Sequence, residues 1–223
     1  MLEEQLNKEI LNWWYQLPEV FRTNKPTFIH PLNNKAKILF VGLNPSGNTN
    51  PETVIENISN EDIQQKICTE IKAIFGDGTK QRIGQYKRYY KPITDIADDL
   101  ELEFEHCDLF QMSYQNAKVV VNELFDSKNE LKPQHKSHLL VFDEIYKFVS
   151  PNIVITNNVN TANILKKHLE LKFDTETGLY KDKNSIFFYL NGIMSYGRQT
   201  KFDRERLMWQ IKKVLYLHNP NKF

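Results

Sequence analysis

Apolar residues along the chain follow two alternating patterns, one typical of helices and one typical of buried strands. The opening segment, from Leu2 to Leu17, repeats apolar residues at helical spacing and stops at Pro18. Further on, the short apolar runs "KILFVGL", "NIVITNN" and "SIFFYLNG" each contain or lead into glycine or asparagine. Continuous apolar runs of this length predict strands that are buried on both faces of a sheet.

The segments between these runs predict helices and one further strand. Helical patterns cover residues 51–75, 135–149, 159–170 and 202–217. The segment "QYKRYYKPITDIADDLEL" reads as a loop that enters a helix near Thr94 or Asp95, and "EFEHCDLF" predicts a strand in spite of its charges. Because strands alternate with helices, the sequence predicts an α/β protein with a parallel, doubly wound sheet.

Length and composition favour one domain in a reducing compartment. The 223 residues are 40% hydrophobic and 26% charged, so we expect a single domain over 1–223, with residues 1–30 as an N-terminal helical embellishment. No run approaches the roughly 18 apolar residues that span a bilayer, and the first ten residues are too polar for a signal peptide. We therefore expect a cytoplasmic protein with no membrane partner.

Charge and metal-ligating residues exclude several kinds of site. The formal net charge of +1 gives no overall basic field, so any nucleic-acid contact needs a local patch. The two cysteines, Cys68 and Cys107, cannot build a disulfide framework or a four-thiolate zinc site. The six histidines show no ligand spacing with acidic residues. The sequence therefore predicts no metal and no cofactor.

Polar and small residues follow all four predicted strands, in the segments "GLNPSG", "CDLFQM", "TNNVNT" and "NGIMSYGR". Ligands of doubly wound sheets bind in the crevice beyond the carboxyl ends of the strands, so these segments form the candidate site. "GLNPSG" has neither the G-x-G-x-x-G spacing of dinucleotide-binding loops nor the lysine of a P-loop. A nicotinamide or nucleoside-triphosphate site is therefore not expected.

"VGLNPSG" resembles the first active-site motif of the uracil-DNA glycosylase superfamily, in particular its mismatch-specific and single-strand-selective branches, where G-x-N-P-G/S follows the first strand. "GQYKRYYKPI" and "HCDLFQM" resemble two further segments of those branches, in the same order, over residues 37–215. The resemblance implies a three-layer α/β/α fold with a central, mainly parallel, four-stranded sheet. It also implies a monomer whose partner is DNA, another nucleic acid or a nucleobase-containing ligand.

Members of this superfamily cleave the N-glycosidic bond of a base that is flipped out of the stack. The resemblance implies that Asn44 orients the attacking water through its side-chain carbonyl. Small residues would let backbone N–H groups approach the flanking phosphate. The alternative is a plain turn, since Asn-Pro and Ser-Gly are common turn dipeptides. The implied substrate-binding residues around Asn44 are Gly42, Leu43, Pro45, Ser46 and Gly47.

Aromatic and basic residues alternate in "QYKRYYK". Tyr89 and Tyr90, together with Tyr86, are candidates for a platform on which a flipped base stacks, a contact worth roughly 1–3 kcal/mol per base. The alternative for each tyrosine is packing within the loop.

Asp108 departs from the family pattern at the end of the second strand. The family usually has a base-reading asparagine there, whose amide offers a donor and an acceptor to uracil, whereas an ionised aspartate only accepts. A carboxylate suits a base edge with adjacent donors or an exocyclic amine. The alternative is an aspartate that caps the next helical turn.

Met194 marks a second departure, because the family normally has a histidine or asparagine there that stabilises the departing base. A thioether donates no hydrogen bond. Asn191, Ser195 or Arg198 could take over this task, and our catalytic candidates are Asn44, Ser195 and Arg198. Otherwise the chain acts only on a labile base, or binds without cleaving.

Asn157 and Lys201 complete the candidate site. Asn157 and Asn158 end the third strand run, where one could line the pocket and the other could cap the helix near Val159. Lys201 precedes the last helix and is a candidate phosphate contact. The leading hypothesis is an atypical base N-glycosylase. The alternatives are a degenerate glycosylase fold that binds without cleavage, and an unrelated hydrolase of small nucleotides.

Overall fold

A computed structural model describes residues 2–16, 26–29, 31–43, 87–112, 122–127, 130–156, 158–190 and 201–218. The chain divides into two compact units. The N-terminal unit comprises Met1–Leu32, Asn44–Arg82 and Asp108–Glu144, and the sheet unit comprises Asn33–Leu43, Ile83–Cys107 and Ile145–Phe223. The single domain expected from composition stays a prediction.

The described residues form one mixed, six-stranded sheet with the order β2-β1-β3-β6-β5-β4. The strands are β1 (Ile38–Gly42), β2 (Phe104–Asp108), β3 (Ile153–Thr156), β4 (Lys172–Asp174), β5 (Leu179–Lys181) and β6 (Phe187–Tyr189). β1 pairs with β3 and β3 pairs with β6 in parallel, whereas β4–β5 and β5–β6 are antiparallel. The predicted α/β class is confirmed, but the sheet has six strands rather than four.

The two additional strands, β4 and β5, form a hairpin that sequence periodicity does not indicate. Each has three residues, and Lys172 and Phe173 of β4 are exposed, so no apolar run marks them. The turn between them ends at Gly178, whose φ of 72° lies in the left-handed region that favours glycine. The hairpin therefore extends the sheet through backbone pairing rather than through a buried apolar run.

Helices cover both faces of the sheet within the sheet unit. Over the two units together, the helices are α1 (Leu2–Gln16), α2 (Lys87–Leu100), α3 (Lys136–Val149), α4 (Val159–His168) and α5 (Lys201–His218), and a 3₁₀ turn, Pro133–His135, precedes α3. On one face, α2 and α5 pack against alternate strand residues such as Phe40 and Ile155. On the other face, the Tyr146 ring of α3 lies 5.9 Å from the Phe188 ring of β6.

Helix α2 begins at Lys87 and not near Thr94 or Asp95, so the predicted loop is wrong there. Pro92 lacks the N–H that an interior helical position donates. The helix nevertheless includes Pro92, and its buried residues recur at helical spacing. These buried residues are Tyr90, Ile93, Ile96, Ala97 and Leu100. Burial of this face in the core outweighs one missing backbone hydrogen bond.

The charges that weakened the strand prediction for "EFEHCDLF" are accommodated by backbone donors. Glu105 of β2 is fully buried, and its Oε2 accepts a hydrogen bond from the Asn33 N–H at 2.7 Å. Its Oε1 accepts a second hydrogen bond from the His106 N–H at 2.8 Å. A buried carboxylate that accepts two backbone N–H groups avoids most of the penalty of an unpaired charge.

In the N-terminal unit, the amide of Asn7 ties α1 to the segment Pro26–Ile29. Its Nδ2 donates to the Ile29 carbonyl at 2.9 Å, and its Oδ1 accepts from the Ile29 N–H at 2.6 Å. This pair of bonds satisfies both backbone groups of a buried residue. In the described ranges, no helix is both long and apolar enough to cross a membrane.

Asn158 caps α4, as one of the two alternatives for this asparagine pair predicted. Its Oδ1 accepts the Thr161 N–H at 2.9 Å, and its backbone is extended, with φ −153° and ψ 165°.

We expect Asn158→Ala to lower the free energy of unfolding by about 1 kcal/mol, because the helix then loses a bond to one of its first N–H groups. Urea denaturation followed by circular dichroism measures this loss. Asn158→Asp keeps an acceptor oxygen and is the control; an equal loss in both variants would contradict a capping role.

Candidate functional site

The carboxyl ends of β1, β3 and β6 lie side by side. Val41 pairs with Thr156 and Ile155 pairs with Tyr189, so the three strands reach the same edge of the sheet. The Thr156 hydroxyl donates to the Tyr189 carbonyl at 3.3 Å across that edge. Neighbouring strands are about 4.8 Å apart, so the three ends fall within about 10 Å. Gly42 is the last residue of β1, and Leu43, 6% exposed, follows it.

The strand order also places a topological switch point beside β1. β2 lies on one side of β1, and β3, the next strand in sequence, lies on the other side. In doubly wound sheets, the connections on the two sides of such a point diverge and leave a crevice beyond the carboxyl ends. The chain enters the segment with Asn44 from β1 and the segment with Asn157 from β3. The switch point therefore lies where β1 and β3 end, at Gly42 and Thr156.

Most of the predicted catalytic and substrate-binding residues lie outside the described residues. These are Asn44, Pro45, Ser46, Gly47, Asn157, Ser195 and Arg198. Tyr89 belongs to α2 and Lys201 is the first residue of α5, but their side chains are not among those described. Their roles stay predictions.

Tyr90 lies in the core of the sheet unit, 3% exposed. Its ring stands edge-on to the His106 ring, with centroids 5.2 Å apart and planes at 84°, and its hydroxyl is 3.4 Å from His106 Nδ1. Tyr90 therefore packs into the core from helix α2, and not within a loop. A stacking role for Tyr90 would require the ring to leave this contact.

Asp108 ends β2 and is 5% exposed. The segment after it is held by Gln111, whose Nε2 donates to the Asp108 carbonyl at 2.7 Å. The backbone carbonyl of Gln111 also accepts a hydrogen bond from the Thr27 N–H at 3.0 Å. Gln111 is 3% exposed. The carboxylate that is the candidate for base reading thus stands at a fixed turn in the N-terminal unit.

His138 is a buried residue of the N-terminal unit that the sequence analysis did not use. Its Nδ1 accepts the Gln111 N–H at 3.1 Å, and its ring lies edge-on to Trp13, with centroids 4.0 Å apart. The Phe110 ring is 5.5 Å away, and the His135 ring stacks at 6.0 Å. The histidine therefore joins α1, α3 and the turn that follows Asp108. A pair of histidines three positions apart beside apolar residues was the available sequence signal.

Both histidines are held neutral. Burial, and to a smaller extent the neighbouring His135, lowers the pKa of His138 from its ordinary 6.5 to about 3. Burial and Lys132 lower the pKa of His135 to about 4, although the backbone of Glu123 opposes this shift. Because His138 Nδ1 accepts a hydrogen bond, its proton sits on Nε2, which has no hydrogen-bond partner within the described parts of the chain.

Within the ranges that the structure describes, no group of three or more histidine, cysteine or acidic residues could hold a metal ion. Comparison with protein-family models and with curated proteins finds no match for this chain. The likeness to the uracil-DNA glycosylase superfamily therefore stays an expectation from the sequence motifs alone.

The two neutral histidines predict a pH-dependent stability. Below pH 6.5 the unfolded chain binds protons at both residues and the folded chain does not, so the free energy of unfolding falls as the pH is lowered. The expected loss approaches about 1.4 kcal/mol per pH unit for each histidine. Urea unfolding at pH 7 to 5, followed by tryptophan fluorescence, measures it.

Two observations check that these histidines cause the effect. Two histidine ring resonances of the folded protein should not titrate between pH 7 and 5. His168→Gln removes a half-buried histidine at the end of α4 and is the control, which should leave the slope unchanged. Histidine signals that all titrate near pH 6.5 would contradict the burial argument.

Proposed function

We propose that the protein is an atypical nucleic-acid base N-glycosylase of the uracil-DNA glycosylase-like kind, with its site at the carboxyl ends of β1, β3 and β6. The observation that carries the proposal is the parallel pairing of these three strands. It brings the ends of β1 and β3 together beside the switch point, where the "GLNPSG" and "TNNVNT" segments begin. The class of fold and the position of the polar segments both suit an extruded base.

The reaction in this proposal is hydrolysis. Asn44 orients a water whose oxygen attacks the anomeric carbon of the sugar, and the bond between that carbon and the base nitrogen breaks. The departing base takes the electron pair of the broken bond, and the proton that the attacking water loses ends on that base after the bond is broken. Arg198 or Ser195 stabilises the negative charge that develops on the base, which replaces the donor missing at Met194.

Asp108 reads the base in this proposal. Its burial at the end of β2 supports the role, because a carboxylate that is shielded from bulk water discriminates strongly between donors and acceptors. An ionised carboxylate accepts only, so it favours a base with an amino group or adjacent N–H groups over uracil.

The second candidate is a module of the same fold that binds a base or modified nucleotide without cleavage. Met194 favours it, because loss of one donor to a developing anion costs about 2.7–4 kcal/mol of transition-state stabilisation in enzymes where it was removed. Product formation separates the two candidates.

The first test is a panel of modified oligonucleotides, single- and double-stranded, assayed for abasic product. Asn44→Ala should lower the rate about 100-fold or more, because a misplaced water loses the attacking geometry. Asn184→Ala is the matched control, since Asn184 is exposed in the turn before β6, at the opposite end of that strand. Saturable binding without abasic product would support the binding module, and equal rates in both variants would exclude Asn44 from the chemistry.

The second test concerns the base. Asp108→Asn replaces an acceptor by a donor and an acceptor at nearly constant shape, so uracil should compete about 5- to 150-fold better, equivalent to 1–3 kcal/mol for a buried mismatched group. Competition of free uracil and cytosine against a bound oligonucleotide measures the change. Thermal melting checks that the variant remains folded. If uracil binds tightly to both forms, Asp108 does not read the base.

A further inference from the structure

Three aromatic side chains stand exposed along the outer face of α5. Phe202 is 78% exposed, Trp209 59% and Tyr216 51%. They are seven residues apart, so each is turned by only about 20° from the last and the rings follow one another at about 10.5 Å along the helix axis. Large aromatic residues at such exposure in a regular row mark a surface that meets another molecule.

The charged residues that flank this aromatic row are mostly basic. Residues three and four positions from each ring lie on the same face of a helix, and here they are Glu205, Arg206, Lys212 and Lys213. Three of these four carry a positive charge. Lys213 Nζ also lies 5.4 Å from the centre of the Trp209 ring, so one charge is already placed against an aromatic face.

The helix is fixed at both ends, so the row is held in place. Arg204 forms an ion pair with Asp99 of α2 at 2.5 Å. Toward the other end, Lys213 donates to the Glu176 carbonyl in the β4–β5 turn at 2.5 Å. The opposite face of α5 is buried through Leu207, Ile211 and Val214. A rigid aromatic surface loses little conformational entropy when it binds.

We propose that this face of α5 binds single-stranded nucleic acid. Aromatic rings provide faces on which successive bases stack, and flanking cations follow the phosphate backbone, which is the combination that sequence-independent strand binding uses. The row from Phe202 to Tyr216 is about 21 Å long, enough for roughly six nucleotides at 3.4 Å each. None of the three aromatic residues or their flanking charges is a candidate residue of the crevice, and the proposal stands whether or not the crevice is catalytic.

A second copy of the chain fits this face less well. In an antiparallel pair of helices centred on Trp209, Glu205 of one copy meets Lys213 of the other, but Arg206 meets Lys212. In a parallel pair every charged residue meets its own copy. Like charges that oppose each other weaken such an interface. A polyanion is attracted by three of the four flanking charges, so nucleic acid is favoured over a dimer.

The experiment is titration of the full chain into a labelled twelve-residue oligothymidylate, followed by fluorescence anisotropy at several salt concentrations. Trp209→Ala should weaken binding about 5- to 150-fold through the loss of one stacked base. The double variant Arg206→Gln with Lys212→Gln should flatten the slope of log K against log salt by about 0.7 per lost phosphate contact. Phe173→Ala is the matched control, because Phe173 is an aromatic residue of β4 that is 57% exposed.

Fluorescence gives an independent readout of the same contact. Wild-type tryptophan emission should be quenched by the oligonucleotide. Trp209→Phe should keep affinity within a few-fold and lose the quenching, since Trp13 and Trp14 lie in α1.

An equal loss of affinity in Trp209→Ala and Phe173→Ala, or no binding of wild type at low salt, would overturn the proposal. A dimer in sedimentation that Trp209→Ala dissociates, without oligonucleotide binding, would assign the face to a second copy. The readout is affinity for the oligonucleotide and not abasic product, which separates this test from that of the crevice.

Discussion

The parallel pairing of β1, β3 and β6 is the constraint on which the rest of the sheet unit depends. Parallel strands need covered faces, because each is buried on both sides, and every described residue of β1 and β3 is buried. The same pairing forces the strands to end at one edge. The points at which the chain leaves β1, β3 and β6 are therefore adjacent because of strand register rather than any single contact.

Burial of polar groups sets the second constraint, at β2 and the turn after it. The Glu105 carboxylate accepts hydrogen bonds from two backbone N–H groups, and the His138 ring accepts one from the Gln111 N–H. Burial of either side chain without a hydrogen bond would lower the stability of the fold. These bonds instead fix the neighbouring backbone. The side-chain amide of Gln111 in turn donates a hydrogen bond to the Asp108 carbonyl. This hydrogen bond fixes the backbone at the end of β2.

Sequence patterns predicted the elements whose apolar residues form a long run or a helical face. They missed the short strands that have no such pattern. The three parallel strands, α1, α3, α4 and α5 were predicted because each has an apolar run or face. The β4–β5 hairpin was missed since three-residue strands carry no pattern, and α2 was predicted to start too late because core packing around Pro92 overrides a local preference. Sequence could suggest Asp108 as a reader, but not the partners of His138, since contacts between distant segments leave no local pattern.

The near-neutral chain makes the distribution of its charges more informative than their sum. Because the net charge of the protein is +1, its overall electrostatic attraction for a nucleic acid is weak. Binding of a nucleic acid then depends on local cations beside stacking surfaces. In the proposed function, extrusion of a base costs a few kcal/mol, which the contacts of the crevice would offset. A strand held on the aromatic face of α5 would stay near the protein without drawing on those contacts. Separate surfaces for holding a strand and for reading a base are therefore compatible with a chain that has almost no overall electrostatic attraction for its ligand.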